Sequence, residues 1–463
     1  MPKEKAARLE WWPDWYDGKT INEGLFCQQF LSQNKLAFAE NAFFTRKGRL
    51  TDETRLKEII FQKLKPFISA NVTRKITAII ELMKIMAYTD KLLPQTDRIH
   101  LANGTLYLDG RFDTTRDEIV RCRLLVPYNP DALPPVCWLN YLNQLLYPED
   151  IASFQEFLGY SLIPSNKGQR MMVIKGNGGE GKSQIGAVLF RLFGGYAKDG
   201  SVGKVSENRF ARADLEHILL MIDDDMRIEA LKQTNYVKSL VTAHGKMDLE
   251  KKGKQSYQGW MYARILAFSN GDLQSLYDRS DGFYRRQLIL TTKEKPADRI
   301  DDPDLAEKLC DELEGIFLWA FDGLKRLVAN SFRFTESPRI KANREIVRQD
   351  ANSLISFLDS DGYIRLGPGL SISSQELYSI YCVYCKENGL VPLKQRSVSD
   401  FLIANQKKYG IEANNNQTNA AGRRVRGFSG IGAVLRLPME TVDHWQKAWP
   451  DDNPFDHKHT MWE

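Results

Sequence analysis

The sequence predicts an α/β protein: a parallel sheet interleaved with helices, preceded by a mostly helical N-terminal region and followed by a smaller helix-and-hairpin unit. Three observations carry the prediction. From residue 171 to about 295, short apolar runs (171–174, 217–222, 264–270) alternate with segments of helical spacing, as strands alternate with crossover helices. The first run leads into a glycine-rich turn, residues 176–183, and then into a helix with Ile185, Val188, Leu189 and Leu192 on one face. Beyond residue 352 the pattern changes to two helices and a polar, basic hairpin.

The chain has 463 residues, 43% hydrophobic and 27% charged, a length that fits on the order of two to four domains. No apolar run approaches the roughly 20 residues that span a bilayer. The N-terminus lacks the apolar core of a signal peptide, so a cytoplasmic protein without a membrane partner is expected. A net charge of +5 suits a nucleic-acid protein whose basic residues are local. Of the six cysteines, only Cys382 and Cys385 have suggestive spacing. They lie in a helical pattern without a second pair, so structural thiols are the better reading than zinc.

Residues 1–100 read as largely helical, with apolar spacing over 56–67 and 76–87 and a solvated face at Lys63, Lys65, Arg74 and Lys75. The cluster Trp11, Trp12, Trp15 and Tyr16 is read as packing onto the next layer, since aromatic rings bury large areas; a partner-binding patch is the other reading. Residues 101–165 form an accessory region. It starts with short strands around Asn103 and Gly104, a tight-turn pair, passes a proline-rich connection at 128–135, and ends in helices over 138–146 and 151–162.

Residues 166–335 form the core. Gly176, Asn177, Gly178, Gly179, Glu180, Gly181, Lys182 and Ser183 fit G-x-x-x-x-G-K-[ST] between an apolar strand and a helix, the context that gives the motif its meaning. The glycines let successive backbone N–H groups turn toward phosphate oxygens, and the helix N-terminus favours the same charge. Lys182 is expected to reach the β- and γ-phosphates of ATP, and Ser183 to hold Mg²⁺. The second strand ends in Asp223, Asp224 and Asp225. Asp223 is assigned to the metal side and Asp224 to the attacking water, with the register open by one. A helix over 234–243 leads to a hairpin whose tip, Gly253, is flanked by Lys251, Lys252 and Lys254. These lysines are either a DNA-contacting tip or a charged turn. Asn270 ends the next strand, where an amide can contact the γ-phosphate or water. Arg285 and Arg286 open the last strand and suggest an arginine finger, which stabilises charge on a transferred phosphoryl group.

Residues 301–330 read as helical and 336–351 as a linker helix. In residues 352–440, Ser373 and Glu376 make a capping-box pattern whose helix ends at Asn388 and Gly389. A second helix ends at Gly410, and the hairpin over 411–437 carries Arg423, Arg424 and Arg426. Helix, helix and basic hairpin give a winged-helix outline. Residues 441–463 read as a tail.

Residues from about 100 to 435 resemble the helicase part of phage and plasmid primase-helicase proteins, related to the poxvirus primase-helicase. These are superfamily-3 helicases on an AAA+ core with a P-loop. The matching features, in order, are Asn103, Gly104 and Leu106; Tyr128 and Pro130; Phe157 to Tyr160; the 176–183 loop; the acidic pair; the basic hairpin; Ser269 and Asn270; and Tyr284 to Arg286. The resemblance implies a hexameric ring with ATP at subunit interfaces, an arginine finger from the neighbour, and a pore hairpin. It also implies translocation on single-stranded DNA, normally 3′ to 5′. Relatives often carry a single Glu where this chain has three aspartates. Many also have a fused primase, which the residues before the core leave little room for, so a separate primase or initiator is the expected partner.

The expected function is therefore an ATP-driven replicative DNA helicase acting on single-stranded and forked DNA. An initiator that ATP switches onto origin DNA without processive unwinding uses the same residues, and so does an RNA-acting ring. The winged-helix outline favours DNA.

Overall fold

The computed structural model describes the chain apart from residues 1–8, 51, 91, 116–117, 227–234, 244, 254, 271–280, 297, 300, 351–352, 361, 389, 391, 419–423 and 437–463. The chain divides into two compact units, Met1–Arg344 and Glu345–Glu463.

The first unit begins with α1 (Glu23–Asn34), β1 (Ala37–Ala39), β2 (Ala42–Thr45), β3 (Gly48–Arg49), α2 (Glu53–Leu64) and α3 (Val72–Met86). Asn22 and Asp52 start α1 and α2 by accepting from the backbone N–H of Leu25 and Thr54. Phe26, Phe30, Leu56, Ile60, Ile79, Ile80 and Met83 pack into one core with Trp15. The Trp15 ring sits 4.9 Å from that of Phe67 and 5.1 Å from that of Phe26, while Trp11 is exposed. The three-stranded sheet β1-β2-β3 is an addition to this largely helical region that the sequence did not announce. Glu40 and Asn41 take φ of 52° and 61°, the backbone of a two-residue hairpin turn, and Ala39 pairs with Ala42 across it. Glu-Asn is not the usual turn signature, which is why the sequence pattern concealed it.

Next come β4 (Arg98–Leu101), β5 (Gly104–Tyr107), β6 (Phe112–Asp113), α4 (Val136–Leu145) and α5 (Pro148–Ser161). The Asn103 side chain donates to the Tyr128 carbonyl at 2.8 Å and accepts from the Tyr128 N–H at 2.7 Å. The two sequence features therefore form one lock.

The central part runs β7 (Met171–Lys175), α6 (Ser183–Phe193), β8 (Ala197–Asp199), α7 (Val202–Glu207), α8 (Arg209–Ala213), β9 (Leu220–Asp223), α9 (Asn235–Thr242), β10 (Gly245–Leu249), β11 (Tyr257–Met261), β12 (Arg264–Ser269), α10 (Asp281–Tyr284) and β13 (Gln287–Thr291). Five of these strands form a sheet in the order β13-β7-β12-β9-β8, every neighbouring pair parallel. Met172, Ile174, Ile222, Leu266, Phe268, Leu288 and Leu290 join the main core. The alternate residues Met171, Val173, Met221, Ile265, Ala267 and Ile289 are buried as well. Burial on both faces explains why these strands read as continuous apolar runs rather than alternating ones. The antiparallel pair β10-β11 stands apart from this sheet, with Leu249 opposite Tyr257.

The unit closes with α11 (Leu305–Cys310), α12 (Leu313–Ala329) and the first residues of α13 (Pro338–Asp350), whose residues from Glu345 onward belong to the second unit. Helices α5 and α12 approach so closely that a Cβ on Gly159 would meet the Ala320 carbonyl, and one on Gly323 the Gln155 carbonyl. That contact holds the helix layer that buries Phe154, Phe157, Phe317 and Leu324 in the main core. No described helix is long and apolar enough to cross a membrane.

The second unit contains α14 (Ser353–Leu358), β14 (Ile364–Ser373), α15 (Ser374–Glu387), α16 (Gln395–Ala404), α17 (Gln406–Tyr409), β15 (Glu412–Thr418) and β16 (Arg424–Ala433). Ser373 caps α15 by accepting from the Glu376 N–H at 3.1 Å. Gly410 ends α17 at φ 65°, where an L side chain would be strained. Strands β15 and β16 pair as the hairpin of the sequence reading, but the sheet has a third strand in the order β14-β16-β15. Gly367, Pro368 and Gly369 give β14 no strand signal in the sequence. The pairing breaks register between Leu366 and Ser371, and β14 lies at an edge, where proline is tolerated. Cys382 and Cys385 are buried in α15, and burial pushes both thiols up to about 11.

Candidate functional site

Register brings the sequence-predicted residues to one end of the central sheet. Ser269 pairs with Lys175 and Ala267 with Asp223, so the residues following β7, β9 and β12 emerge together at the carboxyl ends of parallel strands. Open parallel sheets bind ligands at that edge. The glycine loop leaves β7 there. Gly178, Gly179 and Gly181 take φ of 99°, 80° and 97°, values open to glycine at little cost.

Two groups hold the loop from behind. Arg299 Nη1 donates to the Glu180 carbonyl at 2.7 Å, and the Tyr141 hydroxyl donates to the Gly181 carbonyl at 2.8 Å. In a trans peptide the N–H points opposite to the C=O. The Gly181 and Lys182 N–H groups are therefore turned away from these two partners. Arg299 also pairs with Asp301 at 3.2 Å. Neither Arg299 nor Tyr141 carried a sequence signal, because both come from segments far from the loop in the chain.

The Lys182 ammonium lies 2.9 Å from Glu180 Oε2 and 3.3 Å from Asn270 Oδ1. The Glu180 carboxylate also accepts from the Asn177 N–H, and from the Gly178 N–H at 3.0 Å. Burial raises the Glu180 carboxyl, but the hydrogen bonds from Lys182 and the loop backbone outweigh it and leave the group below its ordinary value. Lys182 and Glu180 are both nearly buried, at 8% and 4% exposure. Two N–H groups and one ammonium thus converge on a pair of carboxylate oxygens, which tests the donor set directly: it fits an oxyanion.

In the acidic turn the two neighbouring aspartates meet different partners. Ser183 Oγ donates to Asp224 Oδ2 at 3.1 Å, and Asp224 is exposed. Asp223 is buried, and its Oδ2 accepts from the Val202 N–H at 2.7 Å. Burial raises the Asp223 carboxyl against the lowering by that N–H and by the Asp225 N–H. Met226 N–H donates to the Phe268 carbonyl at 2.8 Å and Ser269 Oγ to the Met226 carbonyl at 3.1 Å, which ties the turn to β12. Ser183 therefore meets Asp224, and Asp223 meets Val202.

Arg285 and Arg286 lie elsewhere. The Met171 N–H donates to the Arg286 carbonyl at 2.8 Å, so the arginines sit at the start of β13, beside the start of β7. The full length of a five-residue strand, about 17 Å, separates that end from the glycine loop. Lys251 Nζ lies 2.9 Å from Glu216 Oε2, turned toward the base of the hairpin, whereas Lys252 is exposed. Lys254 and Arg423 fall outside the described residues. Arg424 and Arg426 are exposed on β16.

A family model described as a family of unknown function, DUF5906, matches residues 174–286, from the end of β7 to the arginine pair. No curated protein matches the chain. Among solved structures, an A-form apo structure of the NrS-1 C-terminal region has a TM-score of 0.50 at 12% identity, covering 87% of this chain and 98% of that one. Another A-form apo structure of that region gives 0.49 at 13% identity, over the same shares of the two chains. At 12% identity the likeness to the first is one of fold.

Proposed function

We propose that this protein is an ATP-hydrolysing DNA helicase of the superfamily-3 type, acting in replication of a phage, plasmid or other mobile element. The observation that carries the reading is the meeting of Lys182, Ser183, Asp224 and Asn270 at the carboxyl end of a parallel sheet, around a loop whose donors fit an oxyanion. In this reading the sheet is an AAA+ P-loop core. The loop N–H groups from Asn177 to Ser183 and the Lys182 ammonium hold the β- and γ-phosphates of ATP, while the Gly176 N–H is taken by the Ser269 carbonyl at 2.9 Å. Ser183 and Asp224 hold Mg²⁺, which supplies charge neutralisation across the phosphates. Asn270 faces the γ-phosphate or the attacking water. Asp223, held by the Val202 N–H, anchors the acidic turn, so this reading moves the metal role from Asp223 to Asp224 and gives Asp223 no part in activating the water.

The arginine pair supports action between subunits. A finger cannot serve a loop a full strand length away in the same chain, but it can serve a neighbour's loop in a ring, a hexamer by resemblance. Lys252 and Lys254 on the hairpin, with Lys251 nearer its base, then hold single-stranded DNA through phosphates without reading sequence. Three antiparallel strands and helices α14 to α16 support a winged-helix reading of the second unit, with Arg423, Arg424 and Arg426 on duplex phosphates. A separate primase or initiator and a cytoplasmic setting complete the proposal.

Strand displacement from a forked duplex, with ATP and Mg²⁺ and with 3′- and 5′-tailed forks compared, is the test. ATP-dependent unwinding is expected on the 3′-tailed fork. ATP hydrolysis and DNA binding without displacement would make the protein an ATP-switched initiator.

A further inference from the structure

The position of Glu180 is not required by the loop pattern, which leaves that residue free to be any amino acid. Its side chain nevertheless occupies the centre of the loop. Both carboxylate oxygens are engaged: Oε1 accepts from the Asn177 N–H, and Oε2 accepts from the Gly178 N–H at 3.0 Å and from the Lys182 ammonium at 2.9 Å. Lys182 in turn reaches Asn270 Oδ1 at 3.3 Å. A Cβ built on Gly176 would lie 2.5 Å from Lys182 Nζ and 2.9 Å from Glu180 Oε1, so the β7 exit closes over the same pair. These are the donors that the proposed function assigns to nucleotide phosphates. A phosphate oxygen cannot take the Asn177 and Gly178 N–H groups while the carboxylate holds them, because each has a single proton, and the carboxylate also engages one of the three ammonium protons of Lys182.

We propose that Glu180 is a built-in competitor for the phosphate site, holding the Lys182 ammonium and the Asn177 and Gly178 N–H groups until the phosphates of a nucleotide displace it. This rests on the reading of the loop as a phosphate site. Displacement is local. Glu180 lies within the loop, and the Arg299 and Tyr141 bonds to the backbone carbonyls of Glu180 and Gly181 do not depend on its side chain. The carboxylate can therefore leave while the loop backbone stays in place. Once displaced, it remains a negative charge beside the phosphates, which favours its return when they leave. The consequence is a weaker resting affinity for ATP and faster release of ADP than the loop would show without the carboxylate.

Glu180→Gln tests this in the full chain. The amide keeps the shape and one acceptor but removes the charge that binds Lys182. Titration calorimetry with Mg²⁺-ATP and with ADP should show binding tighter than wild type by roughly tenfold or more, the scale of one charge-assisted hydrogen bond, and stopped-flow release of a fluorescent ADP analogue should slow in proportion. Glu180→Asn, shorter and neutral, should shift affinity in the same direction, and it decides the matter if the glutamine variant melts below wild type. Equal or weaker nucleotide binding by both variants, with binding lost in Lys182→Ala, would overturn the competitor and leave Glu180 as a strut of the loop. Absence of nucleotide binding in wild type and both Glu180 variants alike would instead remove the phosphate-site reading, and the competitor with it.

Discussion

At the residue scale, one position along the acidic turn separates a buried carboxylate from an exposed one. Asp223 ends β9 and Asp224 opens the turn that follows it. One carboxylate meets the Val202 N–H in a buried setting, and the other meets Ser183 Oγ at the surface. Asp224→Asn should therefore lower Mg²⁺-dependent ATP hydrolysis on the order of a hundredfold, as expected for loss of a charge that acts on the transferring group. Asp223→Asn retains an acceptor for Val202. It should cost about 1 kcal/mol of stability while leaving hydrolysis within an order of magnitude of wild type. Steady-state hydrolysis and urea unfolding of the two variants check this. The reverse pattern would return the metal role to Asp223.

At the element scale, the hairpin β10-β11 is rooted in a buried polar network rather than in the central sheet. Glu216 takes Lys251 Nζ at 2.9 Å and the Tyr257 hydroxyl at 2.6 Å. Beside it, His217 Nδ1 faces Arg121 Nη1 at 2.9 Å, while Glu40 receives Arg121 Nη2 and Trp260 Nε1, both at 2.6 Å. A guanidinium only donates, so Nδ1 is the acceptor and the neutral ring carries its proton on Nε2. Burial, together with Arg49, Arg121 and Lys251, pushes His217 from 6.5 down to about 2. The unfolded chain therefore takes up a proton that the folded chain refuses. The stability linked to His217 is present above pH 6.5 and is lost as pH falls from there toward 2. The loss approaches about 1.4 kcal/mol per pH unit well below the unfolded value. His217 sits at φ 69°, a conformation asparagine tolerates, and an asparagine carbonyl can still accept from Arg121. Urea midpoints of wild type and His217→Asn, followed from pH 7 to 5, should converge as pH falls. His100, depressed to about 4 mainly by burial, keeps some slope in the variant. Parallel curves would remove His217 as the source of the slope.

At the scale of the whole molecule, the arginine pair and the glycine loop lie at opposite ends of the same sheet, beside Met171 and after Lys175 respectively. If Arg285 or Arg286 acts in hydrolysis, it acts on another copy of the chain. Single variants Arg285→Ala and Arg286→Ala should each fold and bind ATP, and one of them should hydrolyse it slowly. Mixing that variant with Lys182→Ala should restore part of the activity, because some interfaces then combine an intact loop with an intact arginine. Full hydrolysis by a species that sediments as a monomer would exclude the ring.

What the sequence determined by itself follows from local physics. A continuous apolar strand, a glycine loop and an amphipathic helix are fixed by neighbours within a few residues, so β7, the loop and α6 were legible, as were the Ser373 cap and the Gly410 helix end. The hairpin from β10 to β11 and the basic β15-β16 pair were legible for the same reason. Tertiary structure decided what depends on contacts between distant segments. The strand order puts β12 and β13 on either side of β7; that order brings Asn270 to Lys182, and the parallel register of β13 with β7 puts the arginine pair at the opposite end. That Asp223 is held by the Val202 N–H while Asp224 meets Ser183 depends on a helix the aspartates do not adjoin in sequence. Arg299 and Tyr141 reach the loop from 119 and 40 residues away. The β1-β2 turn and the edge strand β14 escaped because their residues favour other conformations locally, and pairing partners overrode that preference.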